Sequence, residues 1–175
     1  MLKRLSDLLA RTVRSKRREQ AACYRYEESL FLCAINEVRN GPGVEWEPCF
    51  LLPATASTDA VGAALSQVLD GSGRVLDLRG PDELRAARRE QLRAAGLSSE
   101  SRLQKIAISC RIERLPDRVL FTPTHNGGSR GDTKGFRNLE GAATTVTFPA
   151  SEAELGEALS AALCNCTSSY DPPAA

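Results

Sequence analysis

The chain of 175 residues contains one imidazole, His125, so no site that needs two histidines from one chain can be built. Ser129 and Asp132 follow it closely and could sketch a nucleophile and an orienting acid. The same stretch carries Gly127, Gly128, Gly131, Gly135 and Gly141, which would hold such a set loosely. None of these glycines is followed by Lys and then Ser or Thr at the spacing of a phosphate loop. Gly41-Pro-Gly43 and Gly71-Ser-Gly73 lack the third glycine of a dinucleotide fingerprint. The six cysteines, Cys23, Cys33, Cys49, Cys110, Cys164 and Cys166, form no Cys-x-x-Cys pair. With no recognisable export signal, they are expected to remain free thiols, most of them small buried hydrophobes. No catalytic residue, no cofactor and no metal ligand set is expected.

The elements that must position any site are clearer. Phe50-Leu-Leu-Pro53 precedes Ser57 and an apolar stripe of Val61, Ala64, Leu65, Val68 and Leu69. Val146-Thr-Phe-Pro149 precedes Ser151 and the stripe Leu155, Ala158, Leu159, Ala162 and Leu163. Both stripes follow i, i+3, i+4, i+7, i+8, one face of a helix. Each serine is suited to N-capping, and Glu154 completes a capping box with Ser151. The unit is thus strand–Pro–capped helix, used twice. Gly62 and Gly156 occupy the same place in the two helices. A glycine there costs about 1 kcal/mol against alanine, which points to close packing of helix on sheet.

Around these units, 29–36 reads as a buried strand and 44–52 as its return after a turn at 40–43. Pro81 with Asp82 and Glu83 starts a helix that stops at Gly96. Its arginines Arg85, Arg88, Arg89 and Arg93 read as a solvated face. Partial alternation over 103–112, a turn at 114–117 and a strand at 119–122 read as a hairpin. The glycine-rich stretch 126–141 reads as a long, mobile hairpin connection, the kind of segment where binding residues often sit. The expected fold is α+β, a largely antiparallel sheet with packing helices and an internal repeat. Residues 1–20 are expected to form a basic amphipathic helix, 21–166 the single domain, and 167–175 a disordered tail.

Composition agrees with one ordinary globular domain: 42% hydrophobic and 26% charged residues, with a formal net charge of +1. That balance argues against a protein that coats nucleic acid. It conceals an asymmetry, since the first 20 residues carry seven bases against two acids and the last 25 carry four acids and no base. No apolar run approaches the ~20 residues of a membrane span.

In the order of its elements the chain resembles the CdiI-type immunity proteins of bacterial contact-dependent growth inhibition systems, from about Ser29 to Cys166. The residues that carry the resemblance are Lys134-Gly-Phe136, Thr144 to Pro149, and Ser151-Glu-Ala-Glu-Leu-Gly156 with Ala158-Leu159. Leu51-Leu-Pro53 with Val61-Gly62 and Ala64-Leu65 looks like a first copy of the same phrase. The resemblance implies a cytoplasmic protein, not an enzyme, that neutralises its cognate toxin domain, typically a nuclease, from a large secreted effector. No small-molecule substrate, direct nucleic-acid partner or membrane span is implied. Tight inhibition needs a few buried anchors and complementary charge, and an exposed sheet edge could accept a strand. Two surfaces are candidates. One is the glycine-rich loop with Arg130, Asp132, Lys134, Phe136 and Arg137. The other surrounds Trp46, where alternation would set Glu45 and Glu47 on one face and the indole on the other. Competing readings are a nucleic-acid-binding module using the basic start and the arginines of 82–95, and an enzyme centred on His125.

Overall fold

The computed structural model describes residues 18–39, 41, 43–77 and 80–170. The fold is α+β. β1 (Glu19–Tyr26), β2 (Ser29–Val38) and β3 (Gly43–Pro53) form a meander that leads into α1 (Thr58–Gly71). A short β4 (Val75–Leu76), α2 (Pro81–Ala94) and α3 (Glu100–Ile106) follow. β5 (Ile108–Arg114), β6 (Arg118–Asn126), β7 (Phe136–Asn138) and β8 (Thr144–Thr147) lead into α4 (Glu152–Cys164) and a short β9 (Thr167–Ser168). The main sheet order is β3-β2-β1-β5-β6, with β8 on β6.

β1 and β5 pair antiparallel at the middle, so each half is a three-stranded meander closed by a serine-capped helix. The repeat read from sequence is therefore larger than a strand–Pro–helix unit. Ser57 accepts from the Ala60 N–H at 3.2 Å, and Ser151 with Glu154 makes the expected capping box. α1 and α4 bury their stripes on one sheet face against Ala21, Cys23, Leu32, Ile112 and Phe121. The opposite face carries Ala22, Tyr24, Tyr26, Phe31 and Cys33 beneath Leu92, Leu97 and Leu103.

Several expectations are corrected. Residues 1–17 lie outside the described residues, but Glu19 and Gln20 belong to β1, so no helix extends through Gln20. Leu103 to Ile106 ends a helix capped by Ser99 instead of starting a strand. Gly62 and Gly156 bring helix to helix, not helix to sheet. The tail is ordered at its start, where β9 pairs with β6 and Tyr170 covers Gly128. Cys33 and Cys49, opposite each other on β2 and β3, form a disulfide instead of staying reduced. Cys23 and Cys110 are opposite each other on β1 and β5 and remain free thiols.

Candidate functional site

Tyr24 sits at the centre of β1 and is 2% exposed. Its hydroxyl donates to Glu45 Oε1 on β3. The other carboxylate oxygen accepts from Arg88 Nη1 of α2 at 2.6 Å, and Arg88 Nε also donates to Glu100 at 2.8 Å. Arg111 Nη1 stands 3.7 Å from Glu45. Gln91 Nε2 donates to the Glu45 carbonyl at 2.7 Å, which ties α2 to β3 a second time. Arg88 thus leaves the solvated face expected for it.

The Glu45 side chain is only 11% exposed, so the network works at low dielectric, where a paired charge is strong and an unpaired one costly. Burial and then the adjacent Glu45 carboxylate push the Tyr24 hydroxyl well above its ordinary value near 10. Coulomb attraction to Glu45 and its bonds to Glu100 hold Arg88 firmly protonated against its desolvation.

The two surfaces named from sequence meet through Tyr24. Phe136 packs edge-on against it, with ring centroids 5.3 Å apart, while Glu45 takes its hydroxyl. Arg130, Asp132, Lys134 and Arg137 remain exposed, away from that junction. Arg137 Nη2 donates to the Asp132 carbonyl across the loop. The stretch forms a hairpin, as expected, and its connection is folded back on itself. β7 pairs with the end of β6, and Gly127 N–H donates to Gly135 O at 2.9 Å. Asn126, fully buried, donates to the carbonyls of Gln104 and Ala107 and accepts from Gly128 N–H.

Simple alternation fails at Trp46. A bulge opposite Cys33 and Ala34 breaks the strand's period there. Glu45 is drawn into the network, whereas Glu47 is exposed and lines the same cleft as Trp46. That cleft, about 700 Å³, lies between β3 and α2. A second concavity of about 580 Å³ includes Arg111, Thr122, Phe136 and Asn138. Of the Glu45 network, Gln91 lines the first and Arg111 the second.

His125 is not joined to Ser129 or Asp132. Its Nδ1 lies 2.8 Å from Thr167 Oγ1 and its Nε2 3.3 Å from Ser169 Oγ. Burial raises the thiols of Cys23 and Cys110, which keeps them protonated and weakly reactive. Sequence reasoning missed Tyr24 and Arg88, which carry the junction. Their only local signal is an aromatic and a cation, at positions 21 and 43 residues from Glu45.

The fold is shared with solved structures. It is similar to a protein of unknown function, NMB0488, from Neisseria meningitidis, at a TM-score of 0.62 and 17% identity. That likeness covers 85% of this chain and 95% of the other. It is also similar to a chain of the CdiA-CT/CdiI toxin and immunity complex from Yersinia pseudotuberculosis, at a TM-score of 0.67 and 15% identity. Here 85% of this chain and 97% of the other are covered. The chain therefore has a fold found in a toxin–immunity complex. No protein-family model and no curated protein sequence matches it. No helix among the described residues is long and apolar enough to cross a membrane.

Proposed function

We propose that this chain is an immunity protein that binds and neutralises the cognate C-terminal toxin domain, a nuclease, of a contact-dependent growth inhibition effector in the cytoplasm. The observation that carries the reading is the fold it has in common with a chain of the CdiA-CT/CdiI complex along nearly the whole of that chain. The charge pattern agrees. α1 and α4 hold five acids, Asp59, Asp70, Glu152, Glu154 and Glu157, and no Lys or Arg. Asp70 is paired with Arg114 and Glu154 closes the capping box, which leaves Asp59, Glu152 and Glu157 to favour a basic partner at long range, because complementary potentials speed encounter and exclude wrong partners. The inhibitor needs no chemistry of its own, only occupation of the toxin.

Co-expression tests this directly. The toxin domain encoded beside this gene arrests growth when expressed alone, and this chain restores growth and co-purifies with it. If the neighbouring gene encodes no toxin and no toxin fragment is retained, the reading is wrong.

A further inference from the structure

The cleft between β3 and α2 holds two exposed carboxylates that make no ion pair with the described residues: Glu47 on the strand wall and Glu90 on the helix wall. The acids nearby are already engaged, Glu45 by Arg88 and Tyr24, and Glu100 by Arg88. The same cleft presents the half-buried Trp46 and Leu51, which is 48% exposed. Among the described residues, Arg74 is the one basic residue lining it.

We propose that this cleft is the seat for a cationic side chain, an arginine or lysine, of the protein partner; the identity of that partner as a toxin rests on the reading above. Carboxylates on two different elements can grip one guanidinium from both sides by charge-assisted hydrogen bonds. An indole face attracts the same cation, and the apolar walls cover its aliphatic stem. An apolar anchor fits less well, since it would strip water from Glu47 and Glu90 and return no charge. An anion would meet both carboxylates.

Trp46 is the only tryptophan in the chain, so its fluorescence reports this cleft and no other. The full chain is titrated with acetyl-glycyl-arginyl-glycinamide and with the same peptide carrying uncharged citrulline. The arginine peptide shifts Trp46 emission saturably, and the citrulline peptide does not. The double variant Glu47→Gln/Glu90→Gln, its fold checked by circular dichroism, weakens the response about tenfold or more. The control Asp117→Asn/Glu140→Gln, at exposed positions outside the cleft, leaves it unchanged. Equal response to citrulline, or a full response in Glu47→Gln/Glu90→Gln, overturns the proposal. A second arm uses the neighbouring toxin domain. If it binds the wild type and the cleft variant equally, the cleft is not the seat, and the inhibitor reading stands. If the arginine peptide is bound as expected and no toxin is, the inhibitor reading falls and the cleft chemistry stands.

Discussion

Gly62 and Gly156 each meet the first residue of the opposite helix. A Cβ on Gly62 would lie 1.8 Å from the Glu152 carbonyl oxygen, and one on Gly156 would lie 2.0 Å from that of Thr58. Thr58 and Glu152 open α1 and α4, and each glycine stands four residues further along its own helix. The two halves of the chain therefore use one contact twice, in opposite directions, and the helices cross at backbone distance.

Gly62→Ala and Gly156→Ala follow from this. Alanine gains about 1 kcal/mol in helix propensity, but its methyl meets backbone that cannot rotate away. Overpacking of this kind costs about 1–3 kcal/mol, so each single variant is less stable than the wild type in urea denaturation. The double variant loses less than the two losses added, because one forced separation of α1 and α4 relieves both contacts. Unchanged or raised stability in both singles would falsify the crossing as described.

The repeat was legible because its words are local: a strand ending at proline, a capping serine, and an apolar stripe with glycine at a fixed place. What the glycines touch was not legible, since the same pattern serves helix on sheet and helix on helix. β1 escaped notice for a physical reason. It is covered on both faces, by Ala21 and Cys23 on one and by Ala22 and Tyr24 on the other, so small residues replace the usual alternation of apolar and polar. Phe136, Glu45 and Trp46 were named from sequence as candidate contacts, but the network that takes in Glu45 was not read there. Its members come from β1, β3, α2, α3 and β5, and only the folded sheet brings them together.

Tyr24 also fixes how stability responds to alkali. Its folded value lies well above 10, raised first by burial and then by Glu45, while the unfolded chain ionises near the ordinary value. Tyr26 is shifted the same way, by burial and then by Glu27. The protonated forms therefore stabilise the fold fully below pH ~10, and the contribution is lost as pH rises from there through the folded values. Urea midpoints should be flat through neutral pH in this respect and fall above pH ~10. Tyr24→Phe removes a hydrogen bond to a charged acceptor, worth about 1.5–3 kcal/mol at neutral pH, and makes the alkaline fall shallower. An equally steep fall in Tyr24→Phe would locate the alkaline sensitivity elsewhere.

The disulfide predicts a thiol count. Cys33 and Cys49 are joined, and the other four cysteines are free. Alkylation under denaturing conditions without reductant labels four thiols by mass, and prior reduction raises the label to six. Cys33→Ser/Cys49→Ser lowers the stability of the oxidised protein by about 2–3 kcal/mol, the value for a closed loop of this order. Six labelled thiols in air-exposed protein would rule the pair out.

Asn126 joins the glycine-rich loop to the body of the fold. It offers both amide hydrogens to the Gln104 and Ala107 carbonyls at the α3–β5 junction, and its oxygen receives the Gly128 N–H. Aspartate is nearly the same shape but would aim carboxylate oxygen at two carbonyls, so Asn126→Asp should be more damaging at neutral pH than Asn126→Ala. The alanine variant leaves two buried backbone groups and one part-buried group without this partner, each costing about 1–3 kcal/mol where water cannot enter. The loss is local in part, since water can reach the Gly128 end once the loop lifts. Hydrogen exchange then accelerates at Gly128 and Gly135 more than in β1 or β5. Uniform acceleration across the sheet would mean that Asn126 supports the core and not the loop. If the loop's exposed charges, Arg130, Asp132 and Lys134, contact the partner, Asn126→Ala should also weaken co-purification while Trp46 emission with the arginine peptide stays as in the wild type.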